Sequence, residues 1–285
     1  MAFMHQAQLE VSKLKNLPPL PEVSGQILAC LNDPDISMDQ LVEVLSASPI
    51  LMGRLLGLAN SAYFAYTQPV TSLKVAIINV LGLKLVKSLS LSVLLSLSFD
   101  SRRCVNFDSN RFWRDTLLTA ICAQKITSFL KQSPVDASLA YTSGILLNIG
   151  LLVMVHVYPE QMDALFQQEK SESLNVLMMQ QYNTDQFLIG GFLLNRWDLP
   201  EIYKSTLNNY TNTNYQGEAA QLISILKLTR VLAKMVLENN DDFTPEVQAL
   251  IDSLSIKKTD LLSIKSKMTS NIEDLSMLAK TMSGE

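Results

Sequence analysis

Histidine is scarce in this sequence: the 285 residues contain only His5 and His156. Catalytic transition-metal sites usually draw on several imidazole groups, because imidazole nitrogen is a strong donor to such ions. Two histidines so far apart cannot form a histidine cluster. The same scarcity leaves a serine or cysteine nucleophile without a suitable base. The sequence therefore argues against both a histidine-rich metal centre and a triad-type hydrolase, and we expect no cofactor.

Cysteine is also rare, with Cys30, Cys104 and Cys122 far apart and in no CxxC spacing. An odd number of scattered cysteines predicts neither a disulfide framework nor a zinc knuckle. A reducing, cytoplasmic location fits this usage best.

The chain has no excess of positive charge, since 23 Lys and Arg face 27 Asp and Glu. Without a basic surplus to neutralise phosphates, nucleic acid is not an expected partner. The N-terminal residues lack the pattern of a secretory signal. Two apolar stretches, 81–99 and 144–158, fall short of the roughly 20 residues that cross a bilayer, so we expect buried core helices and no membrane span.

Apolar residues recur at helical spacing almost throughout, and 48% of the chain is hydrophobic, which predicts an all-α protein of about a dozen helices. Helix starts are predicted where capping residues precede apolar runs. These are Ser37, Thr71 or Ser72, Ser109 or Asn110, Asn183 or Thr184, Thr244 and Thr259. Glycines inside helical patterns, at 53, 57, 190 and 191, predict close helix packing.

The polar stretch 100–110 predicts a soft boundary within one domain. We expect an N-terminal helical segment over residues 1–16 and a domain over 17–282. That domain divides into an N-terminal helical part, 17–104, and a second part, 105–282.

Several motifs follow one another along the chain: Leu17-Pro18-Pro19-Leu20-Pro21, residues 32–37, Ser48-Pro49, residues 54–64, residues 76–83, Phe112-Trp113, residues 144–150 and Arg196-Trp197-Asp198-Leu199-Pro200. In this order they resemble the motifs of HDOD domains, a family related to HD phosphohydrolases. The resemblance implies a multi-helix HD-domain-like bundle and a bacterial role in signal transduction.

The resemblance also implies where the metal ligands of an HD phosphohydrolase would lie. The histidine of the "F-W-x-H" motif falls on Asp115, and the His-Asp pair of "L-L-H-D-I-G" falls on Leu147 and Asn148. A later histidine falls on Gln186, and a final His pair falls on Tyr210 and Thr211. Leu147 has no lone pair and the amides are weak ligands, so we expect a degenerate site without a metal and without catalytic residues.

Three functions remain open. The favoured hypothesis is a non-catalytic module that signals through a protein partner, with Asn60, Tyr63, Phe64 and Tyr66 as a candidate interaction surface, because exposed aromatic residues anchor interfaces. The alternative for these aromatic residues is that they cover the core.

The second hypothesis keeps the ancestral cleft as a nucleotide-sensing pocket lined by Asp115, Asn148, Gln186 and Tyr210. A shortage of basic residues nearby argues against a phosphate-rich ligand. The third is a phosphohydrolase whose ligands are carboxylates such as Asp115, Asp136 and Asp185. The partner, the signal and the oligomeric state cannot be predicted from the sequence.

Overall fold

The computed structural model describes residues 35–131, 133–169, 173–241 and 243–283, with residues 26, 27, 29, 30 and 33. In these ranges the protein has fourteen α-helices of eight or more residues and no strand, which confirms the all-α prediction. The helices are α1 Met38–Ser46, α2 Pro49–Ala59, α3 Gly82–Ser98, α4 Ser109–Thr127, α5 Ala137–Leu146, α6 Ile149–Val157, α7 Pro159–Gln168, α8 Leu174–Tyr182, α9 Gln186–Arg196, α10 Glu201–Asn208, α11 Ala220–Glu238, α12 Pro245–Ser253, α13 Lys258–Ser270 and α14 Ile272–Ser283. The predicted segment 1–16, His5 and the motif at 17–21 lie outside the described residues.

Shorter helical turns complete the N-terminal part. A 3-10 turn, Ala62–Phe64, follows α2, and a single α-turn, Leu73–Val75, leads into a π-helix, Ala76–Leu81. Gly82, at the start of α3, has a φ of 76°, a left-handed conformation that glycine adopts without strain.

Helix α4 lies at the centre of the fold. It packs against α5, α11, α13 and α14, and its buried residues occupy most of its circumference between Phe112 and Ile126. Such all-round burial distinguishes a central helix from a surface helix with one apolar stripe. The residues that start α4, including the Phe112-Trp113 motif, are therefore held rigidly in the core.

The second apolar stretch is longer than the sequence analysis predicted. Helices α5 and α6 form a continuous apolar run over Ala137–Val157, 21 residues with a mean hydropathy of 1.8, which is long and apolar enough to span a membrane. In the folded chain, however, 78% of its most apolar window is buried inside the protein. This is the burial of a core helix, as the sequence analysis expected.

The predicted boundary at 100–110 is a loop that is fastened to α7. The carboxylate of Asp163 accepts hydrogen bonds from the backbone N–H of Val105 and of Asn106, at 3.1 and 2.7 Å, and from the Cys104 thiol at 3.2 Å. Burial acts to raise the pKa of Asp163, but these hydrogen bonds outweigh it and lower the pKa. The loop is therefore a fixed connection between the two predicted parts, whose division stays a prediction.

The C-terminal helix joins both predicted parts of the domain. Helix α14 packs against α2, α3 and the 3-10 turn on one side and against α4 on the other. Near its end, Arg54 of α2 donates a hydrogen bond to the Met282 carbonyl at 2.9 Å and another to the Ser96 hydroxyl of α3. A guanidinium group at a helix C-terminus also complements the helix dipole. Helix α14 thus fastens the N-terminal helices to the central helix.

A candidate degenerate HD site

Three polar side chains meet at the α5–α6 junction, one each from α4, from the junction itself and from α9. Asn148, the second of the two residues between α5 and α6, donates its amide to the Thr116 hydroxyl of α4 at 3.4 Å. Gln186, the first residue of α9, donates its own amide to the Asn148 carbonyl oxygen at 3.3 Å. We call this set the Thr116–Asn148–Gln186 chain. It joins two of the predicted site positions and carries no formal charge.

The chain lies deep in the protein. Thr116 is fully buried, Gln186 is 4% exposed, and Leu147, beside Asn148, is completely buried among apolar residues. Buried amides are stable only when they are hydrogen-bonded, so each contact in the chain offsets the desolvation of the next group. Leu147 packs in the core and contributes no polar atom to the site.

Close helix packing brings Gln186 to Asn148. A Cβ atom added to Gly150 of α6 would lie 1.8 Å from the Gln186 carbonyl oxygen and 2.6 Å from the Gly190 nitrogen. Only glycine permits α6 and α9 to approach this closely. Asp185 fixes the start of α9, because its buried carboxylate accepts hydrogen bonds from the N–H groups of Phe187 and Leu188.

Asp115 lies next to Thr116 in α4 but faces two arginines. Its carboxylate is 3.8 Å from the Arg111 guanidinium and 3.3 Å from that of Arg114. Burial raises the pKa of Asp115, and the two neighbouring positive charges only partly oppose that effect. No described hydrogen bond links Asp115 to the Thr116–Asn148–Gln186 chain.

Tyr210, another predicted site position, lies beside the start of α9. Its ring is 4.2 Å from that of Phe187, the neighbour of Gln186, measured between centroids. Burial raises the pKa of its hydroxyl, while the Arg230 guanidinium, which is hydrogen-bonded to it, acts in the opposite direction. Thr211, in contrast, is exposed in a turn and has no described contact with the site.

Two cations of α11 lie beside Tyr210. The Arg230 guanidinium is 5.5 Å from the centre of the Phe187 ring, and the Lys227 ammonium is 5.9 Å from that of Tyr210. Neither forms an ion pair in the described part of the chain. The expected shortage of basic residues near this site is therefore wrong, because residues distant in sequence converge at Tyr210.

The sequence analysis missed four residues of the site: Thr116, Phe187, Lys227 and Arg230. Thr116 carries a usable signal, since it is a polar residue one turn after Phe112 within an apolar helix pattern. Lys227 and Arg230 carry none, because their spacing is equally typical of a solvated helix face.

The described side chains do not fit the divalent cation that the resemblance implies. Leu147 offers no lone pair, and the Asn148 oxygen already accepts a hydrogen bond from Gln186. Among the described residues, no group of three or more His, Cys, Asp or Glu could hold an ion. Asp136 and Asp185, the carboxylates of the third hypothesis, cap the starts of α5 and α9 instead.

The candidate interaction surface lies at the turn after α2. The Asn60 amide closes that turn, because it accepts a hydrogen bond from the Val70 N–H at 2.8 Å and donates one to the Val70 carbonyl at 2.9 Å. Tyr63, Phe64 and Tyr66 are half-buried and pack against the core. Burial, with a smaller effect of the Cys122 thiol, raises the pKa of Tyr63 to about 12. The aromatic residues thus cover the core, and their use as an interface stays a prediction.

The comparisons with known proteins agree on the fold. An uncharacterised protein from Treponema pallidum (strain Nichols) is 27% identical over 239 residues, which cover 83% of this chain and 45% of that protein. A protein provisionally named as a signal transduction protein, from Marinobacter aquaeolei VT8, is 23% identical with a TM-score of 0.80, over 94% of this chain and 60% of that one. An HDOD domain protein of unknown function from Geobacter sulfurreducens is 19% identical with a TM-score of 0.75, over 99% of this chain and 98% of that one.

The chain spans about half the length of the Treponema protein. At these identities the two solved structures show a shared fold. The family itself is shown by the HDOD domain model, which matches residues 17–213 and with them the α5–α6 junction, Gln186 and Tyr210. The protein belongs to the HDOD domain family.

Proposed function

We propose that this protein is a non-catalytic signal-transduction module of the bacterial cytoplasm that acts through contacts with a protein partner. The Thr116–Asn148–Gln186 chain carries the proposal. Neutral amides and a hydroxyl, paired with one another, stand beside a fully buried leucine where an HD phosphohydrolase would hold its ions. A fold kept without that ligand set is better suited to binding than to hydrolysis.

His156, the only histidine among the described residues, contacts the loop after α3 and is not a ligand of the candidate site. Nδ1 of His156, in the last turn of α6, lies 3.1 Å from the Asp100 backbone N–H, and its ring packs edge-on against Phe99 at 5.8 Å. His156 therefore helps to fasten the loop after α3, away from the Thr116–Asn148–Gln186 chain. The name of the Marinobacter protein, with the same fold, also supports a signalling role.

Metal content and hydrolysis test the non-catalytic part of the proposal. We expect dialysed protein to contain far less than one equivalent of Mn, Fe, Ni or Zn, because the amide oxygens are weak ligands for such ions. With added Mn²⁺, we expect no hydrolysis of bis(p-nitrophenyl) phosphate above the rate of a Gln186→Leu variant. One equivalent of metal, or turnover abolished by Asp115→Asn, would establish the phosphohydrolase alternative.

A partner-capture experiment tests the protein contacts. Thr67 and Gln68 are exposed and directly follow the half-buried aromatic residues of the turn after α2. We expect wild-type bait to retain a partner from the native host, and a Thr67→Arg, Gln68→Arg bait to retain at least tenfold less. A Val105→Arg bait is the matched control, since Val105 is 84% exposed on a different loop. Equal loss with both baits, or none with either, would contradict this surface.

A second candidate function is a nucleotide-sensing pocket, and the position of Lys227 and Arg230 favours it. The two cations form no ion pair with a described residue and lie beside a buried tyrosine, so they could hold a phosphate group, and the Phe187 and Tyr210 rings could pack against a base. The function of the site would then be to bind a nucleotide and not to hydrolyse it.

Thermal unfolding with a panel of mononucleotides tests the second candidate. A nucleotide at about 100 times its Kd should add about 2.7 kcal/mol to the free energy of unfolding. We expect Arg230→Met to remove that gain and Lys234→Met, one turn later on α11 and paired with Glu238, to retain it. If no nucleotide raises the unfolding temperature, the pocket hypothesis fails.

A further inference from the structure

We propose that a pocket between α3, α4 and α5 is a binding site for a small uncharged molecule with hydrogen-bonding groups. The pocket has a volume of about 80 Å³ and is open to solvent on one side. It is lined by Leu85 and Ser88 of α3, Gln124 of α4, and Ala137, Ser138 and Tyr141 of α5. It lies where α3 packs beside α4 and α5.

The pocket is separate from the Thr116–Asn148–Gln186 chain. Tyr141 lies five residues before Leu146, the end of α5, which corresponds to roughly 7.5 Å along the axis. The hydroxyl of Ser88, which lines the pocket, shares a hydrogen bond of 2.7 Å with the Thr142 hydroxyl, and this contact joins α3 to α5. A ligand here would contact both predicted parts of the domain.

Tyr141 offers a hydroxyl group to a ligand in the pocket. It is only 3% exposed, and in the described part of the chain its hydroxyl has no hydrogen-bond partner. Its oxygen is not among the described buried atoms that lack a hydrogen-bond partner, so the hydroxyl is accessible from the pocket, where a ligand can reach it. Burial raises the pKa of Tyr141, so the phenol keeps its proton and can donate as well as accept.

The lining also selects the class of ligand. Gln124 and Ser138 add an amide and a hydroxyl that form no hydrogen bonds with described residues, and Leu85 and Ala137 add apolar surface. None of the described residues that line the pocket is charged. Since liquid water occupies about 30 Å³ per molecule, the pocket has room for about two or three waters or one organic molecule of similar bulk. A short amide or diol fits this volume and these donors and acceptors.

Nuclear magnetic resonance of the full chain, labelled with ¹³C in alanine methyl groups, tests the site. The Ala137 methyl lies at the pocket and is exposed, so its signal reports on binding and can be assigned with an Ala137→Ser variant. Acetamide is the probe, and acetate is its charged counterpart of equal size. We expect a saturable shift of the Ala137 signal with acetamide at millimolar concentration, and at least tenfold weaker binding of acetate.

Two variants separate binding in the pocket from a solvent effect. Tyr141→Phe removes only the hydroxyl that faces the pocket, so we expect a nearly unchanged unfolding temperature and at least tenfold weaker acetamide binding. Ser138→Leu fills the mouth from a half-exposed position and should abolish the shift. Shifts that grow linearly without saturation, or equal titrations in the wild type and both variants, would show that the pocket holds only water and would overturn the proposal.

Discussion

Gly150→Ala is expected to lower the free energy of unfolding by about 3 kcal/mol or more, at the upper end of the cost of overpacking. The added methyl group would lie 1.8 Å from the Gln186 carbonyl oxygen and 2.6 Å from the Gly190 nitrogen. Both atoms belong to the backbone of α9, so no change of side-chain rotamer relieves the clash. Helices α6 and α9 would have to separate, and the hydrogen bond between Gln186 and Asn148 would break with them. Chemical denaturation gives the change directly.

Gly53→Ala is the matched control for this prediction. Gly53 also lies within a helix, but an added Cβ atom there has no neighbour within 4 Å. Alanine is favoured over glycine in a helix by about 1 kcal/mol, so this variant should be slightly more stable than the wild type. If Gly150→Ala were as stable as Gly53→Ala, the close approach of α6 and α9 would be contradicted.

The two glycines also show how far helical glycine can be interpreted from sequence. The expectation of close packing at positions 53, 57, 190 and 191 is wrong for Gly53, which faces open space. It is confirmed for Gly190, where an added Cβ would lie 2.9 Å from the Leu207 side chain. The sequence around a helical glycine shows that it lowers helix stability. The residue that packs against the glycine lies in another part of the chain, so the sequence pattern does not identify it.

Helix starts were predictable where the capping chemistry was unambiguous. Ser37 forms the expected capping box with Gln40, and Thr244 caps α12 ahead of Pro245. The predicted starts near 109 and 183 are wrong by one or two residues, because Asp108 and Asp185 are the caps. The Thr259 cap is also wrong, since α13 begins at Lys258 without a side-chain cap. Where several capping residues are adjacent, tertiary contacts decide between them.

The candidate site shows the same limit of sequence analysis. Contacts between motif residues were predictable, whereas contacts set by the packing of distant segments were not. Asn148 and Gln186 come together because the motifs that identified them belong to helices whose packing the family resemblance implies. Thr211 was assigned by counting along a loop, and the loop turns it to solvent. Arg230 reaches Phe187 only because α11 packs across the fold, an arrangement that no short-range pattern specifies.

Leu278→Asp is expected to lower the free energy of unfolding by about 4 to 5 kcal/mol or more, because it removes a buried side chain and buries a charge in its place. Leu278 is 1% exposed and lies in α14, between the N-terminal helices and α4. The loss should spread beyond α14. Since α2 is bound to α14 by packing and by Arg54, the amides of α1 and α2 should exchange hydrogen faster in this variant.

Met277→Asp provides the control at the adjacent position. Met277 is 52% exposed, so the same substitution there should change the free energy of unfolding by only about 0.5 kcal/mol and leave the exchange of α1 and α2 unaltered. The comparison also decides whether residues 17–104 fold independently. If Leu278→Asp accelerates exchange in α14 while α1 and α2 keep wild-type protection, the N-terminal helices are an independent unit. Faster exchange in all three helices instead makes the C-terminal helix part of one cooperative fold, in which a partner or ligand bound at one end would be felt at the other.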